Sequence, residues 1–423
     1  MEQIKIKGGE KLKGHIKISG AKNAALPALA ATLLAEGEFS FSSIPKLEDV
    51  KIFLKLLNEI GLETSFNSKG ILTVTTKKSI SFEAPYDLVR KMRASVLVLG
   101  PLIARLGRAR VALPGGCAIG ARPIDLHLKG LELMGAKMKI KEGYVEARSK
   151  RLSGARIYFD ITSVTGTENL MMAATLAKGE TVLENAAREP EVVALGMMLK
   201  KMGAKIKGLG TETIKIEGVK ELNPVDFNII PDRIEAGTYL MAVGAAGGHL
   251  TIENCKPEHL TTVIEKLRAI GLIIETEGKN KIEITRKGKL KSIDIKTLPY
   301  PGFPTDLQAQ IMVLMSIAQG LSVITETIFE NRFMHVAELK RLGANIKIEG
   351  RNAIVRGVSF LTGAPVMATD LRASASLVLA GLAAKGTTIV QGLNHLDRGY
   401  EKMDKKLAKV GANIKRIKND QHL

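Results

Sequence analysis

Gly343-Ala344-Asn345-Ile346-Lys347-Ile348-Glu349 is a glycine followed by alternating apolar and polar residues. It reads as the left-handed end of a helix running straight into a half-buried strand. The same junction recurs at Gly61-Leu62, Gly135-Ala136, Gly203-Ala204, Gly271-Leu272 and Gly411-Ala412, at intervals of 68 to 74 residues. A second series of glycines, Gly37, Gly107, Gly179, Gly248, Gly320 and Gly386, precedes the first by 23 to 28 residues. Each of these closes an alanine-rich helix and opens a strand, as in Ala177-Lys178-Gly179-Glu180-Thr181-Val182 and Ala384-Lys385-Gly386-Thr387-Thr388-Ile389-Val390. A fixed period of this length is the mark of a repeated supersecondary unit. The unit is strand, helix, strand, helix, strand, strand, and the chain holds six of them. Its first helix is apolar nearly all round, as in Ser95–Ala104 and Ser376–Ala384, and is therefore expected to be buried. Its second helix is amphipathic and is expected to lie outside the first.

Six units in 423 residues exceed one ordinary core, so the expected division is an α/β protein of two domains with three units each. The expected domains are residues 22–229 and residues 1–21 plus 230–423. The crossover falls near Asn228-Ile229-Ile230-Pro231-Asp232, and the arm Ile4–Ile18 is expected to supply a strand to the second domain.

Composition narrows the function classes. Hydrophobic residues make up 45% and charged residues 25%, as in an ordinary globular protein. No apolar run is long enough for a membrane span, and the first twenty residues lack the hydrophobic stretch of a signal peptide. Two cysteines, Cys117 and Cys255, cannot staple a chain of this size. A cytoplasmic protein is expected. The 62 Lys and Arg against 43 Asp and Glu give a net charge of +19, a field that concentrates anions. Nucleic acid and anionic metabolites both fit that field. With eleven Phe, six Tyr and no Trp there are few stacking platforms for single strands, so no nucleic acid partner is expected. There is no Cys-x-x-Cys, His-Glu-x-x-His, Walker glycine loop or Gly-x-Gly-x-x-Gly after a strand, so neither a metal nor an organic cofactor is indicated.

Leu113-Pro114-Gly115-Gly116-Cys117-Ala118-Ile119-Gly120-Ala121-Arg122-Pro123 breaks the pattern. Three glycines and two prolines within ten residues make a loop, and the loop carries a thiol and, five residues later, a guanidinium. Pro123 suits the first turn of the following helix, with Asp125 on its positive end and Ile124, Leu128 and Leu131 as its apolar stripe. Arginines also stand at the start of two apolar helices, in Met92-Arg93-Ala94-Ser95 and Leu371-Arg372-Ala373-Ser374. There the free amides of the helix already favour an anion.

These stretches carry a resemblance. Ser19-Gly20-Ala21-Lys22-Asn23-Ala24-Ala25-Leu26-Pro27, the Cys117 loop and Ala187-Arg188-Glu189-Pro190-Glu191 resemble the UDP-N-acetylglucosamine enolpyruvyl transferases of the enolpyruvyl transferase superfamily. So do Phe303-Pro304-Thr305-Asp306, Phe329-Glu330-Asn331-Arg332, Asp370-Leu371-Arg372 and Asp397-Arg398-Gly399-Tyr400-Glu401. The resemblance implies two inverted α/β barrel domains closing over a cleft. It implies transfer of enolpyruvyl from phosphoenolpyruvate to the 3-hydroxyl of UDP-N-acetylglucosamine, with release of phosphate, at the start of peptidoglycan precursor synthesis.

By the same resemblance, Asp306 is the base near the sugar hydroxyl. Cys117 is the proton donor to C3 of the donor substrate and the residue alkylated by fosfomycin. Lys22 and Arg122 hold the phosphate, and Arg332, Arg372 and Arg398 hold the carboxylate and the developing ketal. Asn23 touches the sugar or the intermediate. The nucleotide sugar is lined by Arg93, by Arg122, Pro123, Ile124, Asp125 and Leu126, by Ile161, Thr162, Ser163 and Val164, and by Asp306 and Ile328. His127 and His395 fit supporting positions, but a plain core or surface histidine is the favoured reading of each, since nothing local fixes their role. The residues agree with this independently. Two substrates carrying phosphate, carboxylate and diphosphate need several converging cations, and arginine forks suit such groups. Asp306 precedes an apolar helix, where the local pattern equally fits an N-cap aspartate. The sister enzymes that use shikimate 3-phosphate lack the Gly-Gly-Cys-Ala-Ile-Gly loop.

Overall fold

The structure, a computed structural model, describes residues 2–113 and 124–418. Cys117, Arg122 and Pro123, and the loop that holds them, lie outside the described residues. The described chain forms two compact units: residues 20–113 with 124–230, and residues 2–19 with 231–418. Each has its own buried hydrophobic cluster.

Both series of glycines sit where the backbone needs them. All twelve have positive φ, from 68° at Gly107 to 119° at Gly37. The helix Glu48–Ile60 shows the local cause. It buries Val50, Phe53, Leu54, Leu57 and Ile60 on one side and exposes Lys51 and Lys55 on the other. Gly61 then turns left-handed, and the amides of Gly61 and Leu62 cap the carbonyls of Asn58 and Leu57 at 2.9 and 3.0 Å. A side chain at that φ would be strained, so glycine ends the helix and starts the strand.

Each unit contains three four-stranded sheets of one pattern, a parallel pair followed by two antiparallel pairings. In the sheet Arg156–Tyr158, Glu180–Glu184, Thr213–Glu217, Lys205–Lys207, the first pair is parallel because the helix Val164–Ala174 returns the chain between them. Two sheets take a strand from the N-terminal arm. Glu2–Lys7 pairs with Thr387–Gln391 and Asn413–Lys418, and Leu12–Lys17 pairs in parallel with Gly248–Glu253. The arm expected to give one strand therefore gives two, in different sheets. Gly8 and Gly9 permit the break between them, their amides donating to Gly386 and Leu382 carbonyls at 3.2 Å.

The apolar helices form the centre of each unit: Lys22–Ala31, Leu99–Leu106 and Val164–Ala174 in one, Arg233–Ala246, Gln308–Ser316 and Leu371–Ala383 in the other. Ser95–Ala104 is not one α-helix. It opens as a 3-10 segment, Arg93–Val98, and becomes α-helical at Leu99, with Pro101 tolerated in the first turn. Helices approach closely here: a Cβ added to Gly100 would lie 2.4 Å from the carbonyl oxygen of Asn169. Among the described residues no helix is long and apolar enough to cross a membrane.

Candidate active site

In the unit of residues 231–418 with 2–19, the site residues converge on one carboxylate. Asp306 lies in the 3-10 turn Thr305–Leu307 that precedes the buried helix Gln308–Ser316. It is not a helix cap: Pro304 and Leu307 hold the capping positions, without side-chain bonds. Instead, Arg332 Nη2 donates to Oδ1 at 2.9 Å and Arg372 Nη2 donates to Oδ2 at 2.8 Å. The Arg332 and Arg372 side chains are 3% and 6% exposed. Burial alone would lower the Arg372 pKa, but the charge of Asp306 and other neighbours raises it above its ordinary value. Arg372 is set at the start of Leu371–Ala383 by Asp370, whose side chain caps the amides of Arg372 and Ala373 at 2.8 and 3.0 Å.

A buried polar ring supports this cluster. The Arg372 guanidinium lies 5.4 Å over the Tyr400 ring, and the Tyr400 hydroxyl meets Thr238 Oγ1 at 3.0 Å. Gln310 Nε2 donates to the Tyr400 hydroxyl at 3.1 Å and to the Asp306 carbonyl at 3.1 Å. Glu326, 1% exposed, fixes the turn from outside: Oε2 accepts from Thr305 at 2.9 Å, and Oε1 accepts from the amides of Ile328 and Phe329 at 2.8 and 3.2 Å. One carboxylate thus places both Asp306 and Ile328. Arg398 lies half-buried in the turn after Leu393–Leu396, and its charge, after burial, lowers the pKa of His395.

In the unit of residues 20–113 with 124–230, Lys22 and Asn23 open the helix Lys22–Ala31. Lys22 Nζ sits 3.0 Å from Asp49 Oδ2, with side chains 12% and 3% exposed. Asp49 lies in the first turn of Glu48–Ile60, where a carboxylate is favoured. Arg93 begins the 3-10 segment and is half-buried. Ile124, buried, caps the helix Asp125–Leu133, with Asp125 exposed and Leu126 half-buried. Pro123, expected in the first turn of this helix, lies outside the described residues. Ser163 caps Val164–Ala174, accepting from the Gly166 amide at 3.1 Å, and Thr162 donates to Asn185 at 3.0 Å. Ile161 is 74% exposed.

His127 ties these three elements together. Asn169 Nδ2 donates to His127 Nδ1 at 2.9 Å, so the ring's proton is on Nε2, 3.3 Å from Thr165 Oγ1. Asn169 Oδ1 accepts from the Gly100 amide at 2.7 Å. Burial, with the Arg93 charge nearby, pushes the His127 pKa down to about 4.

Asp49, Glu326 and Asn169 were not singled out by the sequence, and Tyr400 entered only within the Asp397–Glu401 motif, without a role of its own. Only the amphipathic position of Asp49 and the adjacency of Tyr400 to Arg398 offered any signal. Cys255 is buried, its sulfur 3.4 Å from the Ile252 carbonyl, and burial pushes its thiol up to about 11.

A family model described as EPSP synthase (3-phosphoshikimate 1-carboxyvinyltransferase) matches residues 6–407. A curated UDP-N-acetylglucosamine 1-carboxyvinyltransferase from Thermodesulfovibrio yellowstonii is 57% identical over 99% of this chain and 100% of its own length. One from Myxococcus xanthus is 56% identical over the same shares. Among solved structures, the enolpyruvyl transferase NikO from Streptomyces tendae superposes with a TM-score of 0.88 at 25% identity over 98% of each chain. An EPSP synthase from Acinetobacter baumannii does so at 0.78 and 20% identity over 99% of this chain and 100% of that one, which shows the fold alone.

Proposed function

This chain belongs to the enolpyruvyl transferase family, and from that premise we infer that it transfers the enolpyruvyl group of phosphoenolpyruvate to the 3-hydroxyl of UDP-N-acetylglucosamine, releasing phosphate. Full-length relatives at 56–58% identity bear the name of that activity, whereas the solved structure bearing the shikimate enzyme's name shares 20%. The product serves peptidoglycan precursor synthesis. Six copies of one unit, three to an inverted α/β barrel, form the framework on this reading, with domain boundaries near residues 22 and 229.

Within the chain, the observation that carries the reading is two buried arginines on one carboxylate. Burying guanidinium groups is costly unless they meet anions. Asp306 supplies one negative charge for two cations, and Arg372 Nη1 is buried without a hydrogen-bond partner among the described residues. A carboxylate or phosphate of the substrate completes the balance, with Arg398 contributing to the same anion.

The reaction is addition followed by elimination. The sugar oxygen attacks C2 of phosphoenolpyruvate while its proton passes to Asp306 and C3 receives a proton from Cys117. The resulting ketal then loses a proton from C3 as the C2–O bond to phosphate breaks. A positioned acid and base contribute on the order of 10²–10⁴ each to such steps. For Asp306 to take a proton, one arginine must turn from it to the substrate. Binding and chemistry are coupled by that exchange. Lys22 and Arg122 hold the departing phosphate; Asn23 contacts the sugar. Arg93, Pro123 to Leu126, Ile161 to Val164 and Ile328 line the nucleotide.

The test is phosphate release from phosphoenolpyruvate with each acceptor, with mass spectrometry of the product. Release that requires UDP-N-acetylglucosamine supports the assignment. Release with shikimate 3-phosphate instead, or with neither, refutes it.

A further inference from the structure

The sheet that leads toward the Cys117 loop carries a charge arrangement that none of its five counterparts has. Its strands are Glu83–Ala84, Arg108–Ala112, Tyr144–Arg148 and Lys137–Lys141. Arg108 stands directly opposite Arg148, which stands directly opposite Lys137. Directly opposed residues project from the same face, so three cations line up across three strands, over about 10 Å at the usual strand spacing. All three are exposed, and none has an ion-pair partner among the described residues. Like charges placed opposite one another destabilise a sheet.

The next row on that face shows the ordinary solution. There Arg110, Glu146 and Lys139 alternate in sign, and Arg110 also meets Glu83 at 2.7 Å. In the other five four-stranded sheets, the row after the equivalent glycine holds at most one Lys or Arg. Examples are Glu180, Glu217 and Lys205, and Glu38, Thr75 and Glu63. The repeat therefore does not require the three cations.

The row walls a concavity of about 660 Å³ whose rim adds Lys150 and Phe82. Its one carboxylate, Glu146, is already engaged by Arg110 at 3.5 Å. The Arg108 guanidinium lies 4.2 Å over the Phe82 ring, which holds that cation at the edge of the concavity and occupies one face of the ring.

We propose that this concavity is an anion site for a polyphosphate group, separate from the residues assigned to the transfer reaction. A chain of linked phosphates presents its charges in a line, as the row does, and its binding relieves the repulsion across the strands. A free polyphosphate and the phosphate chain of a nucleoside triphosphate share this chemistry.

The test uses the full-length protein saturated with UDP-N-acetylglucosamine, so that a probe cannot report on the nucleotide-sugar residues. Tripolyphosphate and ATP are titrated calorimetrically at constant ionic strength. One tripolyphosphate per chain is expected, and ATP of equal affinity assigns recognition to the phosphates alone. Arg148→Thr and Lys137→Thr, each at an exposed strand position, are expected to weaken binding about tenfold. Turnover should not change. Without the probe, both variants should melt above the parent, because the repulsion is gone. Unchanged affinity in the variants, a lowered melting temperature without probe, or tighter binding of a single-stranded oligonucleotide than of tripolyphosphate would each overturn the proposal.

Discussion

Arg332 and Arg372 reach Asp306 through different oxygens, at 2.9 and 2.8 Å, so one carboxylate separates two nearly buried positive charges. Asp306→Ala removes the carboxylate proposed as the base and leaves the guanidinium groups facing each other. It should lower kcat by about 10²–10⁴ and also lower the melting temperature. Asp306→Asn keeps the shape and part of the hydrogen bonding. It should lose comparable activity with a smaller change in melting. Full turnover in either variant removes Asp306 from the reaction.

Lys22 is held by Asp49 at 3.0 Å, with both side chains largely buried. Removing one member of such a pair costs about 3–5 kcal/mol. Asp49→Ala should therefore destabilise the protein in urea unfolding, and the displaced ammonium should raise KM for phosphoenolpyruvate more than KM for the nucleotide sugar. Equal effects on both would mean that Lys22 does not serve the phosphate.

Asn169 is a positioning residue. Its amide links His127, the Gly100 amide and the Val96 carbonyl, and so links the elements beginning at Arg93, Asp125 and Val164. Asn169→Ser should weaken UDP-N-acetylglucosamine binding about tenfold, with KM for phosphoenolpyruvate little altered. A drop in kcat with both KM values unchanged would exclude this role.

Burial is the first cause that pushes both His127 and His335 down to about 4. In the unfolded chain each titrates near 6.5. Between those values the unfolded state binds more protons than the folded state, so stability is full above about pH 6.5 and falls as pH drops toward 4. Each histidine should cost about 2 kcal/mol at pH 5, an order-of-magnitude figure. Denaturant unfolding at pH 7 and pH 5 measures the loss. His127→Gln should reduce the difference, and an identical difference would show that His127 is not its source.

Fosfomycin should inactivate the enzyme and add one mass increment at Cys117. Cys255 should stay unmodified in the folded protein, because its thiol is buried and pushed up to about 11. Peptide mass spectrometry after treatment decides. Label on Cys255, or inactivation without label on Cys117, would contradict the cysteine assignment.

The features legible in the sequence are those whose cause is local. A glycine at Gly61 or Gly343 reports its own left-handed turn, and the residues after it report their own alternation. Arg372 was visible because Asp370 and the apolar helix lie beside it in the chain. Asp49, Glu326 and Asn169 were not, because their meaning comes from partners 27, 21 and 42 residues away. Read locally, Asp49 is a charge at a helix start and Glu326 a polar strand end. The 3-10 opening at Arg93 escaped for a related reason: an apolar run fixes burial, while the helix type depends on what the run packs against.

The arm of residues 2–17 gives the architecture a temporal asymmetry. Glu2 pairs with Lys418 and Lys17 with Glu253, whereas among the described residues the strands of 20–113 and 124–230 pair with one another. During synthesis on the ribosome, the unit that follows the arm can close while Leu12–Lys17 waits for Gly248–Glu253 and Glu2–Lys7 waits for Asn413–Lys418. Removal of the first eighteen residues should therefore spare the unit that follows them directly and unravel the one made from the far end of the chain.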